Sequence, residues 1–223
     1  IYIHKEHCMS FTRKEDRYIE THKTWNNIAQ LYEDEFMDFG LYDDTYKKFC
    51  DLLSKQDAAV LEIGCGPGNI TRHILEINPN LKVLATDVSK KMIDLAKKNN
   101  PHIETTVLDC RNLKRIDNKY DGIICGFTIP YLSKPDCMKL IYDCGKLLAN
   151  DGILYLSFVS GNPEKSGFII GNSGYRSYFY YHEINTIRRE LELNQMSVVD
   201  IIEKNYKKSD NTSEIHTIIH VKK

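Results

Sequence analysis

An apolar run that leads directly into three closely spaced glycines is the feature that most constrains this chain. Residues 58–63 are apolar except for one acid, Gly64, Gly66 and Gly68 follow, and a helical pattern begins at Asn69. A short apolar run that ends in glycines indicates a buried strand. Glycines allow the backbone to turn sharply and a ligand to approach the main chain. The segment therefore predicts a strand, a ligand-binding turn and a helix in succession.

Strand-like and helix-like segments alternate along the residues around and after this turn. Strands are predicted at 81–86, 103–108, 121–127 and 153–159, and helices at 69–77, 89–99 and 135–148. Apolar strands that alternate with helices indicate a parallel sheet with helices on both faces. Two long strand-like segments, 196–206 and 213–221, flank the polar turn 208–211 and predict an antiparallel hairpin at the sheet edge. The pattern favours an α/β fold with a Rossmann-like, doubly wound sheet.

The segments on either side of these strands are predicted to be helical or irregular. Residues 13–38 show a polar helical pattern with an apolar face that includes Trp25, and residues 43–54 form a second helical stretch. Residues 160–176 are rich in Gly, Asn and Ser and indicate an irregular insertion. A further helix is expected at 183–193, where apolar residues recur on one face.

Length and composition fit a single structural domain. A chain of 223 residues can bury a hydrophobic core without a disulfide or a metal. We expect residues 1–54 to form an N-terminal helical cap region and residues 55–223 to form the ligand-binding part of that domain. The seven cysteines are odd in number and include no Cys-x-x-Cys pair, so reduced thiols in a cytoplasmic protein are expected.

Charge and hydropathy argue against nucleic-acid and membrane partners. The formal net charge is -1 and the pI is about 6.8, which does not favour a strongly electrostatic partner. No apolar stretch is long enough for a transmembrane helix, and the first residues lack the apolar core of a signal peptide. The sequence begins at Ile1, and we hypothesise that Met9 is the natural start, with residues 1–8 outside the native protein.

The spacing of the glycines indicates which cofactor the turn suits. The pattern is Gly-x-Gly-x-Gly, whereas dinucleotide-binding turns use Gly-x-Gly-x-x-Gly to place a pyrophosphate on a helix N-terminus. Glu62 precedes the first glycine by two residues, and a carboxylate there is a poor neighbour for a phosphate. It is a good neighbour for an ammonium group or for the amides that hold one. S-adenosylmethionine carries an ammonium and a sulfonium and no phosphate.

Two further acids end the next two predicted strands. Asp87 ends the second strand and could accept hydrogen bonds from both ribose hydroxyls, although an acid before a helix is also favoured by the helix dipole. Asp109 ends the third strand and could accept from an adenine amino group, with the Cys110 amide as a donor. The alternative for Asp109 is a loop aspartate that caps a turn.

Together these features resemble the class I S-adenosylmethionine-dependent methyltransferase family, in its large branch acting mostly on small molecules. The resemblance covers about residues 25–159. The matching motifs, in chain order, are the family's cofactor loop at 61–68, its ribose-binding acid at Asp87, its adenine motif at Asp109 and Cys110, and its fourth motif at 120–132. Several motifs in order are more specific than any one of them.

The resemblance implies a seven-stranded sheet, mostly parallel with an antiparallel last strand, and S-adenosylmethionine as the cofactor. It also implies methyl transfer by in-line displacement, which needs no metal because alignment of the reactants supplies most of the rate. The cofactor-binding residues that we infer are Tyr32, Glu62, Gly64, Cys65, Gly66, Gly68, Asp87, Val88, Met92, Asp109, Cys110, Gly126 and Phe127. We expect a small-molecule acceptor as partner, and a monomer or a homodimer.

The acceptor side is less determined, and its catalytic residues stay open. Many relatives carry a histidine pair after the fourth strand, where this chain has Pro130 and Tyr131. Tyr131 could orient the acceptor or could be an ordinary packed tyrosine. Arg176 could hold an acceptor carboxylate and His182 could act as a base. The alternative is that the ring-rich segment around them is an edge strand packed on the sheet, with His182 capping the next helix.

Several other functions remain as alternatives to a small-molecule methyltransferase. An RNA or protein methyltransferase and a non-catalytic S-adenosylmethionine-binding protein share the fold, and an NAD-dependent oxidoreductase is disfavoured by the glycine spacing. The near-neutral charge disfavours RNA, because phosphate contacts need Lys and Arg. His216 and His220 share one face of the last strand, but no third ligand accompanies them, so no metal site is expected.

Overall fold

The computed structural model describes residues 13–171, 173–208 and 211–223. The expectations about residues 1–8 and Cys8 lie outside these residues. The helices are α1 (Arg13–Asn27), α2 (Ala29–Phe36), α3 (Asp43–Leu52), α4 (Asn69–Ile77), α5 (Lys90–Asn99), α6 (Lys134–Leu147) and α7 (Ile184–Leu193). The strands are β1 (Ala59–Ile63), β2 (Lys82–Asp87), β3 (Glu104–Val107), β4 (Tyr120–Gly126), β5 (Leu148–Val159), β6 (Gly167–Ile170), β7 (Arg176–Phe179), β8 (Ser197–Lys207) and β9 (Ser213–Lys222).

Seven of the strands form one sheet in the order β3-β2-β1-β4-β5-β9-β8. Strands β1 to β5 pair in parallel, and β9 runs antiparallel to both β5 and β8. This confirms the predicted fold, a doubly wound, mostly parallel sheet with an antiparallel last strand. The predicted hairpin lies at the sheet edge, with β8 outermost and β9 inserted beside β5. The strand order reverses between β1 and β4, and ligands of such sheets bind at the carboxyl ends of the strands at this point.

Each face of the sheet carries its own apolar core. Ile123 and Ile124 are adjacent in β4 and fully buried, yet they belong to different clusters on opposite faces. Because consecutive side chains of a strand point to opposite faces, a sheet covered on both sides needs apolar residues at every position. Phe49 of α3 belongs to one cluster and Leu191 of α7 to the other. The continuous apolar runs in the sequence follow from this two-sided covering.

The N-terminal segment consists of two helices, not the single helix that the apolar pattern predicts. Ile28 separates α1 from α2 and has a non-helical φ of -97° and ψ of 11°. The Asn26 side chain accepts a hydrogen bond from the Ser89 hydroxyl at the start of α5, at 3.0 Å. The Glu33 carboxylate accepts one from the Asn99 amide at the end of α5, at 2.6 Å. The bend therefore lets both helices dock along α5.

The insertion at residues 160–176 is not wholly irregular, contrary to the expectation from its composition. Strand β6 lies within it and pairs antiparallel with β7 in a separate two-stranded sheet. This hairpin is bonded to α1: the Thr24 hydroxyl donates to the Arg176 carbonyl at 2.6 Å, and the Tyr178 amide donates to the Thr21 hydroxyl at 3.0 Å. Of the glycines that suggested irregular structure, Gly171 and Gly174 lie at the turn between the two strands, Gly167 begins β6, and Gly161 precedes the hairpin.

Two further features concern the chain as a whole. The described cysteines carry free thiols, namely Cys50, Cys65, Cys110, Cys125, Cys137 and Cys144. Among the described residues, no helix combines the length and the apolar character that crossing a membrane requires.

We expect Leu191→Ala to lower the free energy of unfolding by about 2–5 kcal/mol, because it removes a fully buried side chain from the core. Leu193→Ala is the matched control two residues further along α7, where the side chain is 67% exposed, and it should change stability by less than about 0.5 kcal/mol. Urea unfolding followed by circular dichroism measures both. Equal losses for the two variants would contradict the packing of α7 described here.

Candidate functional site

A cleft opens at the carboxyl ends of the central strands, beneath α1 and α2. Its empty space is about 1120 Å³ when the open solvent at its mouth is included. The predicted residues that line it are Tyr32, Gly64, Cys65, Gly66, Asp87, Val88, Met92, Asp109, Cys110, Gly126, Phe127 and Tyr131, together with Trp25. The structure thus brings most of the sequence-predicted site residues together. Glu62, Gly68, Arg176 and His182 do not line the cleft.

The glycine loop forms the floor of the cleft and depends on glycine at two positions. Gly64 has a φ of +68°, and a Cβ there would lie 2.1 Å from the Thr128 hydroxyl oxygen. Gly66 has a φ of +54°, and a Cβ there would lie 3.5 Å from the ring of Tyr32. The left-handed conformation disfavours other residues at both positions, and at Gly64 the close Thr128 hydroxyl also excludes a side chain. Gly68 lies behind the cleft, where it precedes the first residue of α4.

Asp87 ties this loop to the neighbouring strand. One carboxylate oxygen accepts a hydrogen bond from the Gly66 amide at 3.0 Å, and the other accepts one from the Ser89 amide at 2.8 Å. Burial raises the pKa of Asp87 to about 6, although these backbone bonds oppose the rise. The carboxylate is thus held in place at the cleft wall by main-chain donors. Each of its oxygens keeps the capacity to accept a further hydrogen bond.

Asp109 is paired with a neighbouring arginine. Its carboxylate accepts from the Arg111 amide at 2.9 Å and from the guanidinium, with a shortest distance of 2.5 Å. Although burial alone would raise it, the bonds from Arg111 hold the pKa of Asp109 below its usual range. The guanidinium carbon of Arg111 lies 4.0 Å from the ring centroid of Tyr18. Asp109 therefore caps its loop, as the alternative interpretation had it, and also lines the cleft in ionised form.

Glu62 lies behind the glycine loop and not in the cleft. The Thr71 hydroxyl of α4 donates a hydrogen bond to one of its carboxylate oxygens, while the other, Oε1, has no partner among the described residues. The side chain is fully buried, and this burial raises the pKa of Glu62 to about 8. Glu62 does not line the cleft because its side chain points from β1 toward Thr71 of α4.

Aromatic rings form the wall opposite the glycine loop. The ring centroids of Trp25 and Tyr131 are 5.0 Å apart, those of Trp25 and Tyr32 are 5.5 Å apart, and those of Tyr32 and Phe36 are 4.6 Å apart. Such distances are typical of packed aromatic pairs. Tyr131 belongs to this wall, and burial raises its pKa well above the usual value. The hydroxyl therefore stays protonated, and it can orient a ligand as a hydrogen-bonding group.

The other two catalytic candidates are occupied elsewhere. Arg176 forms an ion pair with Glu20 of α1 at the outer edge of the β6–β7 hairpin. His182 is buried, and its Nε2 lies 3.2 Å from the Ile129 carbonyl oxygen and 3.1 Å from that of Leu132. Burial lowers the pKa of His182. The segment contains a strand, as the alternative interpretation had it, but β7 pairs with β6 beside α1 and not with the main sheet, and His182 does not cap α7.

Sequence reasoning missed part of the cleft lining. The residues that it did not name are Thr21, His22, Phe36, Phe39, Tyr42, Tyr46, Asn69, Ile70, Leu108, Thr128 and Leu132. Aromatic residues recur every three or four positions from residue 32 to residue 49, and this periodicity is the signal that could have located the ring wall. Within the described ranges, no three or more His, Cys, Asp or Glu side chains gather as metal ligands.

Comparisons with known proteins show what the central part of the chain is similar to. Residues 60–152 match the family model of a methyltransferase domain. A malonyl-[acyl-carrier protein] O-methyltransferase from Bacillus cytotoxicus is 33% identical over 100 residues, which is 44% of this chain and 34% of the relative. A tRNA N(3)-methylcytidine methyltransferase from Schizosaccharomyces pombe is 34% identical over 89 residues, which is 40% of this chain and 36% of the relative. The matches thus extend over about a third of the length of these curated relatives.

A solved structure agrees with the whole architecture. The 1,6-didemethyltoxoflavin-N1-methyltransferase of Burkholderia thailandensis, with bound 1,6-didemethyltoxoflavin and S-adenosylhomocysteine, has a TM-score of 0.69 at 14% identity. The match covers 100% of this chain and 98% of that chain. At this identity the likeness concerns the fold. Together with the domain match, it confirms the resemblance of this chain to the class I methyltransferases.

We expect Glu62→Gln to remove a pH-dependent loss of stability. Between about pH 4.3, where an unfolded glutamate titrates, and about pH 8, the folded protein holds one proton more than the unfolded chain. The free energy of unfolding of the wild type therefore falls as pH rises through this window. The fall is about 1.4 kcal/mol for each pH unit, which amounts to a few kcal/mol in all. The glutamine variant has no such proton to lose, so its advantage grows with pH. Urea unfolding at about pH 5 and about pH 8 measures it.

The control for this experiment is Glu76→Gln on the exposed surface of α4, which keeps Glu62 and should therefore follow the wild-type curve. Asp87 is present in all these proteins, so its own titration contributes to each curve. Parallel stability curves for the wild type and Glu62→Gln would mean that Glu62 is ionised in the folded protein.

Proposed function

We propose that this chain, which carries a methyltransferase domain on the class I fold, transfers a methyl group from S-adenosylmethionine to a small-molecule acceptor. The observation that carries the proposal is the glycine loop fixed against Asp87 at the point where the strand order reverses. Both lie in one cleft with Asp109. The free thiols also agree with a cytoplasmic location, which we include in the proposal.

The charges of the cleft support this cofactor over a dinucleotide. Among the described residues that line it, Asp87 and Asp109 are the charged side chains, and no Lys or Arg is present. His22 also lines the cleft, and burial lowers its pKa, which favours a neutral ring. A cleft with two acids suits a cofactor that carries an ammonium and a sulfonium. It is a poor site for a pyrophosphate, because the start of α4 at Asn69 lines the cleft but no described Lys or Arg lines it with that helix end.

Each part of the cleft has a role in this proposal. Asp87 accepts hydrogen bonds from ribose hydroxyls, and Asp109 with the Cys110 amide contacts the adenine. Val88 and Met92 supply apolar contacts. The main chain of Gly64, Cys65, Gly66, Gly126 and Phe127 faces the amino-acid portion, and Tyr32 covers it from α2. The space between Gly66 and the Tyr32 ring exists because Gly66 has no side chain.

The bound cofactor supplies a methyl carbon that its positively charged leaving group has already activated. The chain contributes alignment, and the exclusion of water by α1 and α2 supports the role of residues 1–54 as a cap region. Two observations support a small-molecule acceptor. Aromatic rings line one wall of the cleft, and the Burkholderia thailandensis enzyme of the same fold binds a small molecule, 1,6-didemethyltoxoflavin. We propose a monomer or a homodimer, since the cleft is formed within one chain.

RNA methylation is the second candidate, because a stretch of 89 residues resembles a tRNA methyltransferase. The lack of Lys and Arg among the described lining residues argues against it, since RNA contacts need cations. A turnover assay that measures S-adenosylhomocysteine formation with pools of small molecules, RNA and peptides separates the two. If none of the pools leads to S-adenosylhomocysteine formation, a non-catalytic binding protein is favoured.

We expect Asp87→Ala to weaken S-adenosylmethionine binding at least about tenfold, because it removes a charged acceptor and releases the glycine loop. Asp94→Ala is the matched control: Asp94 lies on α5 nearby and forms an exposed ion pair with Lys90 at 2.8 Å. Calorimetric titration measures the affinities, and near-ultraviolet circular dichroism checks that both variants are folded. NAD serves as the control ligand. The proposal would be overturned if the wild type bound NAD saturably, or if it bound neither NAD nor S-adenosylmethionine.

A further inference from the structure

A hydroxyl, an imidazole and a carboxylate form a chain of hydrogen bonds at one wall of the cleft. The Tyr42 hydroxyl oxygen lies 2.6 Å from Nδ1 of His216, and Nε2 of His216 lies 3.1 Å from Oε1 of Glu214. Tyr42 lines the cleft just before α3. His216 is buried on β9, opposite Val159 at the carboxyl end of β5. None of these residues belongs to the set proposed to hold the cofactor.

The charge of Glu214 determines which groups donate and which accept in this series of hydrogen bonds. Although burial alone would raise it, the bond from His216 and the ion pair with Lys208 hold the pKa of Glu214 below its usual range. An ionised carboxylate only accepts hydrogen bonds, so Nε2 of His216 carries the proton that it shares with Glu214. The other ring nitrogen, Nδ1, is then an acceptor for the Tyr42 hydroxyl. The same order of groups allows an imidazole to act as the base in serine hydrolases.

The imidazole ring is held in place by its neighbours. Tyr206 lies nearly parallel to His216 with a centroid distance of 4.7 Å, and the Tyr42 ring, 6.0 Å away and inclined by 15°, adjoins the imidazole edge through its hydroxyl. The Phe127 centroid lies 4.8 Å from that of His216 on a third side. This packing keeps both ring nitrogens aligned with their partners. Because Phe127 also lines the cleft, His216 lies directly behind its wall.

The part of the cleft around Tyr42 is walled by rings. The Tyr42 centroid is 5.2 Å from that of Phe127 and 5.8 Å from that of Phe39, and Phe39 lies 5.7 Å from Phe36. A flat aromatic molecule packs well among such rings. The described lining offers no Lys or Arg for a carboxylate or a phosphate. With its own proton directed at His216, the Tyr42 oxygen keeps a lone pair for a donor on the ligand.

We propose that Tyr42 accepts a hydrogen bond from the O–H or N–H group of a flat, uncharged aromatic acceptor and passes its own proton to His216. Glu214 is the positioning residue for His216. The inference rests on the proposed function and names the acceptor class and the proton path for it. A lone pair on the acceptor's oxygen or nitrogen forms the bond to the methyl carbon, while the bond from that carbon to the sulfonium sulfur breaks and its electron pair stays on sulfur, which leaves as a neutral thioether. The freed proton moves to the Tyr42 oxygen as the Tyr42 proton moves to Nδ1, which leaves an imidazolium beside Glu214.

The state of His216 can be tested without any acceptor. Nitrogen-15 NMR of the histidine rings is recorded for the full chain, and His216→Gln identifies the signals of His216. We expect a neutral ring with the proton on Nε2, an Nδ1 signal that moves in Tyr42→Phe, and loss of the single tautomer in Glu214→Gln. Tyr206→Phe removes a hydroxyl beside the same ring and should keep the tautomer. A ring that carries its proton on Nδ1 would overturn the proposal, because it could not accept from Tyr42.

The ligand class can be tested with a matched pair of probes. The wild-type complex with S-adenosylhomocysteine is titrated calorimetrically with 6-hydroxyquinoline and with 6-methoxyquinoline, which lacks the hydroxyl donor. We expect the hydroxyl compound to bind roughly three- to tenfold more tightly. This preference should disappear in Tyr42→Phe and persist in Tyr206→Phe. Equal affinities in the wild type, or tighter binding of choline than of 6-hydroxyquinoline, would overturn the proposal.

Failure of this inference is distinguishable from failure of the proposed function. If S-adenosylhomocysteine does not bind, the proposed function fails before any probe is added. If it binds with similar affinity to the wild type and to Tyr42→Phe, but the hydroxyl preference is absent, the cofactor assignment stands and the role of Tyr42 is wrong.

Discussion

The hydrogen bond from the Gly66 amide to the Asp87 carboxylate is the constraint on which the site depends. It joins the loop after β1 to the end of β2, and the bond from the Cys65 amide to the Thr86 carbonyl at 2.9 Å supports the same junction. Two parallel strands thereby end at a fixed separation, with the glycine main chain on one side and a carboxylate on the other. Burial raises the pKa of Asp87, and the hydrogen bonds from backbone amides offset part of the cost of burying its carboxylate. Without this junction the loop would have no fixed position beneath the helices.

The helices that cover the cleft give it its chemical character. The rings of α2 and of the segment that leads into α3 form a wall of low polarity opposite the two acids. In such surroundings charge interactions are stronger than in water, so an ionised carboxylate favours a cationic ligand more than it would at the surface. Trp25 of α1 and Tyr32 of α2 both line this cleft, with their ring centroids 5.5 Å apart.

The sequence was sufficient for the sheet and for the glycine loop because both leave local patterns. Apolar runs mark the strands covered on both faces, and the glycines mark a turn with positive φ at Gly64 and Gly66. Features set by distant partners leave no such pattern. Arg176 is a candidate for binding the acceptor on the sequence alone, whereas its ion pair with Glu20, far away in the sequence, is visible only in the structure. His216 is considered from the sequence as half of a metal pair with His220 and not as a partner of Tyr42, because Tyr42 is 174 residues away and no local pattern shows that contact.

The position of Trp25 has a practical consequence. The chain contains one tryptophan, and it lies in the cleft wall, with its ring 5.0 Å from that of Tyr131. Indole emission responds to the polarity and packing of its immediate surroundings. The tryptophan fluorescence of the entire protein is therefore a local signal from the cleft, and the unmodified chain carries its own optical reporter of what enters there.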